Sequence, residues 1–235
     1  MTPIYIPRGK AKEYGDYALN IYTGCPHRCY YCFAPNVLRK EREAFHGCVE
    51  PRKDIVRETL KQLEKDKELR GKLIHMCFTC DPYPTGYDTT QTREIIQLLK
   101  DFGNHIQILT KGDGSRDFDL LDGDDWYGIT VTGGPSDMGT SPGAIAPIAR
   151  IAFLNDAKRR GIRTWVSFEP VLDDKAVLEC IRRYHKSFDK VKIGKLNYWP
   201  SSINWKEFGR EAEELCQSLN LDYYIKDSLR AEMEK

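Results

Sequence analysis

Three closely spaced cysteines are the part of the sequence with the clearest chemical meaning. Cys25, Cys29 and Cys32 follow the spacing C-x3-C-x2-C, with an aromatic residue before the last cysteine. A structural zinc site takes four protein ligands, whereas an iron–sulfur cube held by three thiolates leaves one iron open for an outside ligand. The pattern therefore predicts an iron–sulfur cluster with one open iron.

A zinc-binding interaction module without enzymatic activity is the alternative function for the same cysteines. It needs a fourth ligand, and His27, His46 and Cys48 are the nearest candidates. The sequence has no second Cys or His pair with zinc-finger spacing that would complete a zinc ribbon. The spacing thus favours the cluster over zinc.

The cysteine loop directly follows the first of several predicted strands, which alternate with helices. Such alternation predicts parallel strands with helical crossovers. About six or seven units fit, fewer than the eight of a complete barrel. We therefore predict an α/β fold of the partial (β/α)6 TIM-type barrel, with a doubly wound sheet as the alternative. The predicted strands are Tyr17–Tyr22, Leu73–Thr79, His105–Thr110, Tyr127–Thr132, Thr164–Phe168, Lys190–Ile193 and Asp222–Ile225, and the predicted helices are Asp54–Leu69, Thr89–Phe102, Arg116–Leu121, Pro142–Arg160, Lys175–Phe188 and Trp205–Leu219.

In either fold, ligands bind at the C-terminal ends of the strands. A loop rich in Gly, Pro and Ser, from Gly133 to Gly143, follows the fourth strand and would overhang this edge. It is interpreted either as a surface connection or as a loop that covers a substrate.

The composition predicts a single, nearly neutral domain. The chain has 235 residues, and 36 Lys and Arg against 35 Asp and Glu leave a net charge of +1. This balance gives no global positive field for binding nucleic acid or membranes. No apolar stretch is long enough to span a membrane, and the N-terminus lacks a signal peptide, so we expect a cytoplasmic protein. We expect one domain over 1–235, with a core of about residues 17–200 and a C-terminal extension of about 201–235.

Several segments accompany the cysteine motif, which reads Tyr22-Thr-Gly-Cys25-Pro-His-Arg-Cys29-Tyr-Tyr-Cys32. They are Thr79-Cys80-Asp81-Pro82-Tyr83, Thr90-Gln-Thr-Arg93, Ile108-Leu-Thr-Lys111 and Arg116-Asp117 with Leu120-Leu121. With the cysteines, they resemble the radical S-adenosylmethionine (SAM) superfamily, in particular the branch that contains spore photoproduct lyase. The resemblance covers about Tyr22 to Leu121 with specific motifs, and extends more loosely to about Ile193.

The resemblance implies two cofactors and an electron donor. Cys25, Cys29 and Cys32 would hold a 4Fe–4S cluster, and SAM would bind the open iron. Reductive cleavage of SAM would then give a 5′-deoxyadenosyl radical that abstracts hydrogen from a substrate, so that the cofactor supplies the difficult chemistry. A flavodoxin or ferredoxin is the implied electron donor. The family also implies a nucleobase- or nucleic-acid-related substrate, which the neutral charge does not favour.

The resemblance also implies residues that bind SAM. Tyr31 is similar to the residue that packs near the adenine. Thr79 and Asp81 stand where many members carry Gly-Gly-Glu, and Asp81 is the candidate partner of the SAM amino group, with a cap of the following turn as the alternative. Lys111, at the end of the third strand, is the candidate partner of the SAM carboxylate, with a solvated surface lysine as the alternative.

The ends of the fourth and fifth strands supply three more candidates. Thr130 and Thr132 share a strand face and are suited to bonding the ribose or carboxylate of SAM, with core filling as the alternative. Glu169 follows an apolar strand, and a carboxylate there could bind SAM or substrate, because Glu is rarely buried without a partner.

Cys80 is a tentative hydrogen donor. The lyase carries its donor cysteine just before Thr-Ser-Asp, where this chain has Phe78, and this departure argues against repair of DNA photoproducts. Strand alternation places Cys77 and Cys80 on opposite faces, with Cys80 on the cavity side. The alternative is that both are small buried hydrophobic residues.

Overall fold

The computed structural model describes residues 2–134 and 139–235, and these residues form one sheet of eight strands in chain order. The first two strands are antiparallel, and every later neighbouring pair is parallel. The sheet stays open, with the first and last strands at its edges. The strands are β1 (Ile4–Tyr5), β2 (Tyr17–Leu19), β3 (Leu73–Met76), β4 (His105–Thr110), β5 (Trp126–Thr130), β6 (Arg163–Phe168), β7 (Lys190–Ile193) and β8 (Asp222–Ile225).

Helices occupy most connections between the parallel strands, because a parallel pair needs a long crossover. Two short helices and a longer one follow β2, and a final helix follows β8. The α-helices are α1 (Ala34–Leu38), α2 (Arg42–Gly47), α3 (Ile55–Lys65), α4 (Thr90–Asp101), α5 (Pro147–Arg159), α6 (Asp174–Tyr184), α7 (Trp205–Ser218) and α8 (Asp227–Met233). The connection from β4 to β5 is a 3-10 helix, Ser115–Leu120.

The predicted fold class is confirmed. All seven predicted strands are present and parallel, and the open sheet matches a partial barrel. Gly103 and Gly161 adopt positive φ directly after α4 and α5, as the sequence predicts for helix ends. The loop from Gly133 to Gly143, interpreted either as a surface connection or as a loop that covers a substrate, includes residues 135–138, which lie outside the described residues.

The two faces of the sheet differ in character. One face buries aliphatic side chains such as Ile74, Ile108 and Val191 in the main core. The concave face carries larger polar and aromatic groups. Contacts between their side chains link neighbouring strands on this face, among His75, Gln107, Trp165, Lys192 and Tyr224.

The N-terminal segment fills part of this concave face. Tyr14 follows a 3-10 helix, Gly9–Glu13, and its ring lies 5.5 Å from His75 and 6.0 Å from Trp165. A Cβ atom on Gly128 would collide with the Trp165 indole, so that only glycine allows this ring to cross the strand. The fold therefore leaves its polar groups facing inward and gathers the ends of the parallel strands on one edge.

Candidate functional site

The cysteine loop is held by side chains of α2. The Arg42 guanidinium donates hydrogen bonds to the carbonyl oxygens of Cys29, of Tyr30 at 2.6 Å and of Cys32 at 3.2 Å. The His46 ring donates from Nδ1 to the Cys25 carbonyl at 2.8 Å. The loop backbone is thereby fixed from one side, and its thiols are left for other partners.

The three thiols of the loop are unpaired with other cysteines. Cys29 is buried, while Cys25 and Cys32 are half-buried. Burial raises the pKa of both Cys25 and Cys32. At Cys29, burial acts in the same direction, but the positive charge of Lys111 and its hydrogen bonds outweigh it, so that the pKa is lowered.

Lys111 joins the cysteine loop to the end of β4. Its Nζ atom lies 3.4 Å from the Cys29 sulfur and 3.2 Å from the Ser141 hydroxyl, and it also contacts the Tyr31 hydroxyl. Ser141 in turn lies 3.1 Å from the same sulfur. Burial alone lowers the pKa of Lys111, but Tyr31 and Cys29 outweigh it, and the net pKa is raised. Lys111 is therefore a buried cation at the edge of the cysteine loop.

The donor set fits an iron–sulfur cluster better than zinc. Within residues 2–134 and 139–235, no three His, Cys, Asp or Glu side chains converge as ligands of a single metal ion. Zinc needs all its sulfur ligands at about 2.3 Å from one point. An iron–sulfur cube spans several atoms, so its thiolates attach to different irons and need not converge. Three free thiols on one fixed loop, beside a buried cation, suit such an anionic cluster.

Asp81 lies directly after β3, and its carboxylate is fully engaged with the protein. Oδ1 accepts from the Thr110 hydroxyl at 2.5 Å and from the Tyr83 amide at 2.8 Å. Oδ2 accepts from the Lys111 amide at 2.8 Å and lies 3.3 Å from His27 Nδ1. Burial raises the pKa of Asp81, but His27 and the hydrogen bonds outweigh it and lower the pKa.

The remaining SAM candidates at the strand ends have varied surroundings. Thr79 accepts a hydrogen bond from Arg52 at 3.4 Å. Thr130 and Thr132 are buried, and the Thr132 hydroxyl lies 3.3 Å from that of Thr140. The Thr130 carbonyl accepts from the buried guanidinium of Arg150. Arg150 thus approaches the same edge of the sheet from α5.

Glu169 lies apart from the cysteine loop, in a second group on the concave face. Its Oε2 atom accepts from the Tyr14 hydroxyl at 2.5 Å and from Lys226 at 2.6 Å. Ser167 lies 3.0 Å from the same hydroxyl. Burial, together with the nearby charges of Lys190 and Lys226, lowers the pKa of Lys192 to about 8. We call Tyr14, Ser167, Glu169, Lys192 and Lys226 the inner polar group.

The strand ends therefore divide the predicted residues into two sets. The structure brings Cys29, Tyr31 and Lys111 into direct contact and links Asp81 to Lys111 through the backbone, whereas Glu169 belongs to the inner polar group. Sequence reasoning missed several contributors that come from helices, loops and the N-terminal segment. They are Tyr14, Arg42, Ser141, Arg150 and Lys226. His27, which the sequence offered only as a zinc ligand, lies beside Asp81.

Cys77 and Cys80 depart from the predicted strand geometry. Cys77 adopts a positive φ of 76°, because β3 ends at Met76 and the chain turns there. Cys77 and Cys80 both lie beyond the end of β3, so strand alternation does not apply to them, and their thiols lie near enough to influence each other's pKa. The Cys80 sulfur also accepts from the Tyr22 amide at 3.4 Å.

An open parallel sheet with a cysteine loop after its first parallel strand defines a class of partial-barrel proteins. The sequence pattern of the radical SAM superfamily matches residues 19–194, which is most of the chain. The chain therefore belongs to the radical SAM superfamily, whose cofactors are a 4Fe–4S cluster and SAM. No helix among the described residues is long and apolar enough to cross a membrane.

Two proteins are similar in sequence to about three quarters or more of this chain. The uncharacterized protein MJ0683 of Methanocaldococcus jannaschii is 28% identical over 194 residues, covering 80% of this chain and 70% of that protein. The uncharacterized protein ORF301 of Acidianus two-tailed virus is 29% identical over 192 residues, covering 74% and 62%.

Solved structures support the fold. Spore photoproduct lyase complexed with dinucleoside spore photoproduct gives a TM-score of 0.72 at 13% identity, covering 94% of this chain and 79% of the lyase. SuiB of Streptococcus suis bound to S-adenosylmethionine gives 0.63 at 12% identity, covering 88% and 50%. At this identity the likeness concerns the architecture alone.

Proposed function

We propose that the chain is a radical SAM enzyme in which Cys25, Cys29 and Cys32 hold the cluster. The single observation that carries this proposal is the contact of Cys29 with the buried cation Lys111, at the edge where the parallel strands end. When bound, the cluster and SAM supply the one-electron cleavage that produces a 5′-deoxyadenosyl radical. The protein binds and orients these groups and excludes competing reactions.

Lys111 and Tyr31 are proposed to bind SAM. Within residues 2–134 and 139–235, no carboxylate lies at hydrogen-bond distance from the buried Lys111 ammonium. Such an ammonium is suited to an incoming carboxylate, because a charge-assisted hydrogen bond is stronger than a neutral one. The Tyr31 ring lies 4.5 Å from Lys111 Nζ, which places the ring beside that carboxylate position. Thr130 and Thr132, buried at the same edge, are proposed to line the site with Thr79.

Asp81 is proposed mainly as a positioning residue. A carboxylate has about four lone-pair sites, and four groups already occupy those of Asp81. Its role as the partner of the SAM amino group stays a prediction, and binding there would require one of these groups to move away. In the geometry described, Asp81 fixes the backbone at Lys111 and the ring of His27.

The inner polar group is proposed to face the substrate. It lies on the concave side of the sheet, where Glu169 and Lys192 are held by neighbours from the N-terminal segment and β8. We propose a nucleobase-containing substrate, which rests on the motif similarity to the lyase branch. The lyase carries its hydrogen-donor cysteine at the position where this chain has Phe78. The proposal therefore does not include repair of DNA photoproducts. Cys80 as the hydrogen donor stays a prediction, as does a cytoplasmic location.

The test is anaerobic reconstitution with iron and sulfide, followed by incubation with SAM and a low-potential donor such as flavodoxin or ferredoxin. We expect cluster absorbance and 5′-deoxyadenosine in the complete protein. Cys29→Ala should lose the full cluster, because one of three thiolate ligands is missing, whereas Cys216→Ala should retain it. A protein that purifies anaerobically with one zinc and no iron, and that produces no 5′-deoxyadenosine after reconstitution, would refute the proposal.

A further inference from the structure

Cys77 and Cys80 form a pair outside the three cysteines proposed to hold the cluster. They have the spacing C-x2-C, which in an α/β setting is typical of dithiols that exchange with disulfides. The positive φ of Cys77 turns the chain directly after β3, so that both thiols lie on one tight turn instead of on opposite faces of a strand. Both are free cysteines in the structure. The backbone thus already holds the two sulfurs close to each other.

The two thiols are unequal in access and in surroundings. Cys80 is half-buried, whereas Cys77 is buried. The Cys80 sulfur accepts a hydrogen bond from the Tyr22 amide at 3.4 Å. Burial raises the pKa of Cys80, but the neighbouring Cys77 thiol, the backbone amides and the positive charge of Arg52 outweigh it, and the net pKa is lowered. Cys80 is therefore the thiol suited to attack an incoming disulfide, and Cys77 is suited to resolve the product.

We propose that Cys77 and Cys80 are a redox-active pair that forms a reversible disulfide by exchange with a low-molecular-weight disulfide such as oxidised glutathione. The Cys80 thiolate attacks one sulfur of glutathione disulfide, which breaks that S–S bond and releases one glutathione thiolate. Cys77 then loses its proton and attacks the Cys80 sulfur, which releases the second glutathione thiolate. The protein dithiol is oxidised by two electrons, and one glutathione disulfide is reduced to two glutathione molecules.

The position of the pair connects it to the candidate site. Tyr22, whose amide binds the Cys80 sulfur, lies three residues before Cys25, and Asp81 directly follows Cys80. Oxidation would therefore change the turn that carries Cys77 and Cys80. This turn contacts Tyr22, just before the cysteine loop, and continues directly into Asp81, which positions Lys111. The inference itself needs neither cluster nor SAM, so its failure would leave the proposed function unaffected.

The experiment incubates the reconstituted protein anaerobically with oxidised glutathione, blocks remaining thiols and maps tryptic peptides by mass spectrometry. Trypsin releases both cysteines in one peptide, Leu73 to Arg93, because no Lys or Arg lies between Lys72 and Arg93. We expect this peptide to lose both free thiols together and to regain them with dithiothreitol. Exposed Cys48 should gain only a glutathione adduct, and buried Cys216 should stay unmodified.

Two variants separate the steps. Cys77→Ser should stop the exchange halfway and retain glutathione on Cys80, because no resolving thiol remains. Cys80→Ser should leave Cys77 unmodified, because Cys77 is buried. Circular dichroism identical to that of the unmodified chain shows that each variant is folded. Persistent glutathione on Cys80 in the unmodified chain, or no reaction at Cys80 in folded Cys77→Ser, would overturn the proposal.

Discussion

Lys111, directly after β4, contacts Cys29 and Tyr31 of the cysteine loop, and substituting this lysine gives the first prediction. Lys111→Ala should leave the cluster in place, because all three thiols remain, but should weaken SAM binding. Losing a charged hydrogen bond costs about 2 kcal/mol, or roughly thirtyfold in affinity. Equilibrium binding of SAM to the reconstituted protein measures this. Lys186→Ala, at an exposed site, is the control, and unchanged SAM affinity in the Lys111 variant would remove Lys111 from the site.

His75 gives a prediction about pH. It is buried on the concave face, and burial together with the charge of Lys192 lowers its pKa to about 3. Between pH 3 and an unfolded pKa near 6.5, the unfolded chain binds more protons, so that stability is lost as the pH falls through this window. From pH 7.5 to pH 5, His75 should contribute a loss of about 2 kcal/mol.

Urea denaturation of the cluster-free protein at these two pH values measures the loss. His75→Gln, which retains an acceptor for Gln107, should lose less stability over the same interval than the unmodified chain does. His185→Gln is the matched control, because His185 is partly exposed and should not change the difference. Equal losses in the unmodified chain and His75→Gln would contradict the assignment.

At the scale of elements, α2 acts as the support of the cysteine loop, and Arg42 makes the contacts. Arg42→Gln removes at least two of its three hydrogen bonds to the loop carbonyls. The loop should then hold its cluster less firmly, with loss of the cluster to a chelator faster by about tenfold, equivalent to about 1.4 kcal/mol. Chelator kinetics followed by cluster absorbance measure this. Arg39→Gln, at an exposed position beside the same loop, should lose the cluster at the unmodified rate.

The helices and strands also show which parts of the fold can be predicted from sequence patterns. The seven parallel strands could be predicted because short runs rich in aliphatic, β-branched and aromatic residues alternate with longer amphipathic segments. β1 is only two residues long, and α1 is only five, so neither produces a periodic signal. Strand alternation failed at Cys77 because β3 ends one residue earlier and positive φ turns the chain.

The same limits apply to the candidate site. The C-terminal ends of parallel strands share one edge, which is why Lys111 and the cysteine loop were both expected at that edge. Ser141 lies in the loop after β5, and Arg150 lies in α5. No local sequence pattern predicts their contacts with Cys29 and Thr130. Glu169 was predicted as a strand-end carboxylate, but its partner Lys226 lies 57 residues later in the chain. Pairings of this kind depend on the assembled sheet.

At the scale of the whole molecule, the last strand and the segment before β2 are joined through buried charges. Lys226, which directly follows β8, lies 2.6 Å from Glu169 and 3.2 Å from Glu13, so that one ammonium connects three distant parts of the chain. Removing one partner of a buried pair leaves an unpaired charge, which costs about 3–5 kcal/mol. Lys226→Met should therefore lower the melting temperature of the cluster-free protein by roughly 6–20 °C.

A double-mutant cycle decides whether this loss reflects the unpaired carboxylates. Adding Glu169→Gln to Lys226→Met removes one of the two charges that the first change leaves unpaired, and should restore part of the lost stability. Arg230→Met, on neighbouring α8 and paired with Glu213 nearer the surface, should cost about 1 kcal/mol or less. Calorimetry on all four proteins of the cycle measures the coupling. If the effects of the two changes simply add, the unpaired carboxylate of Glu169 does not account for the stability lost in Lys226→Met.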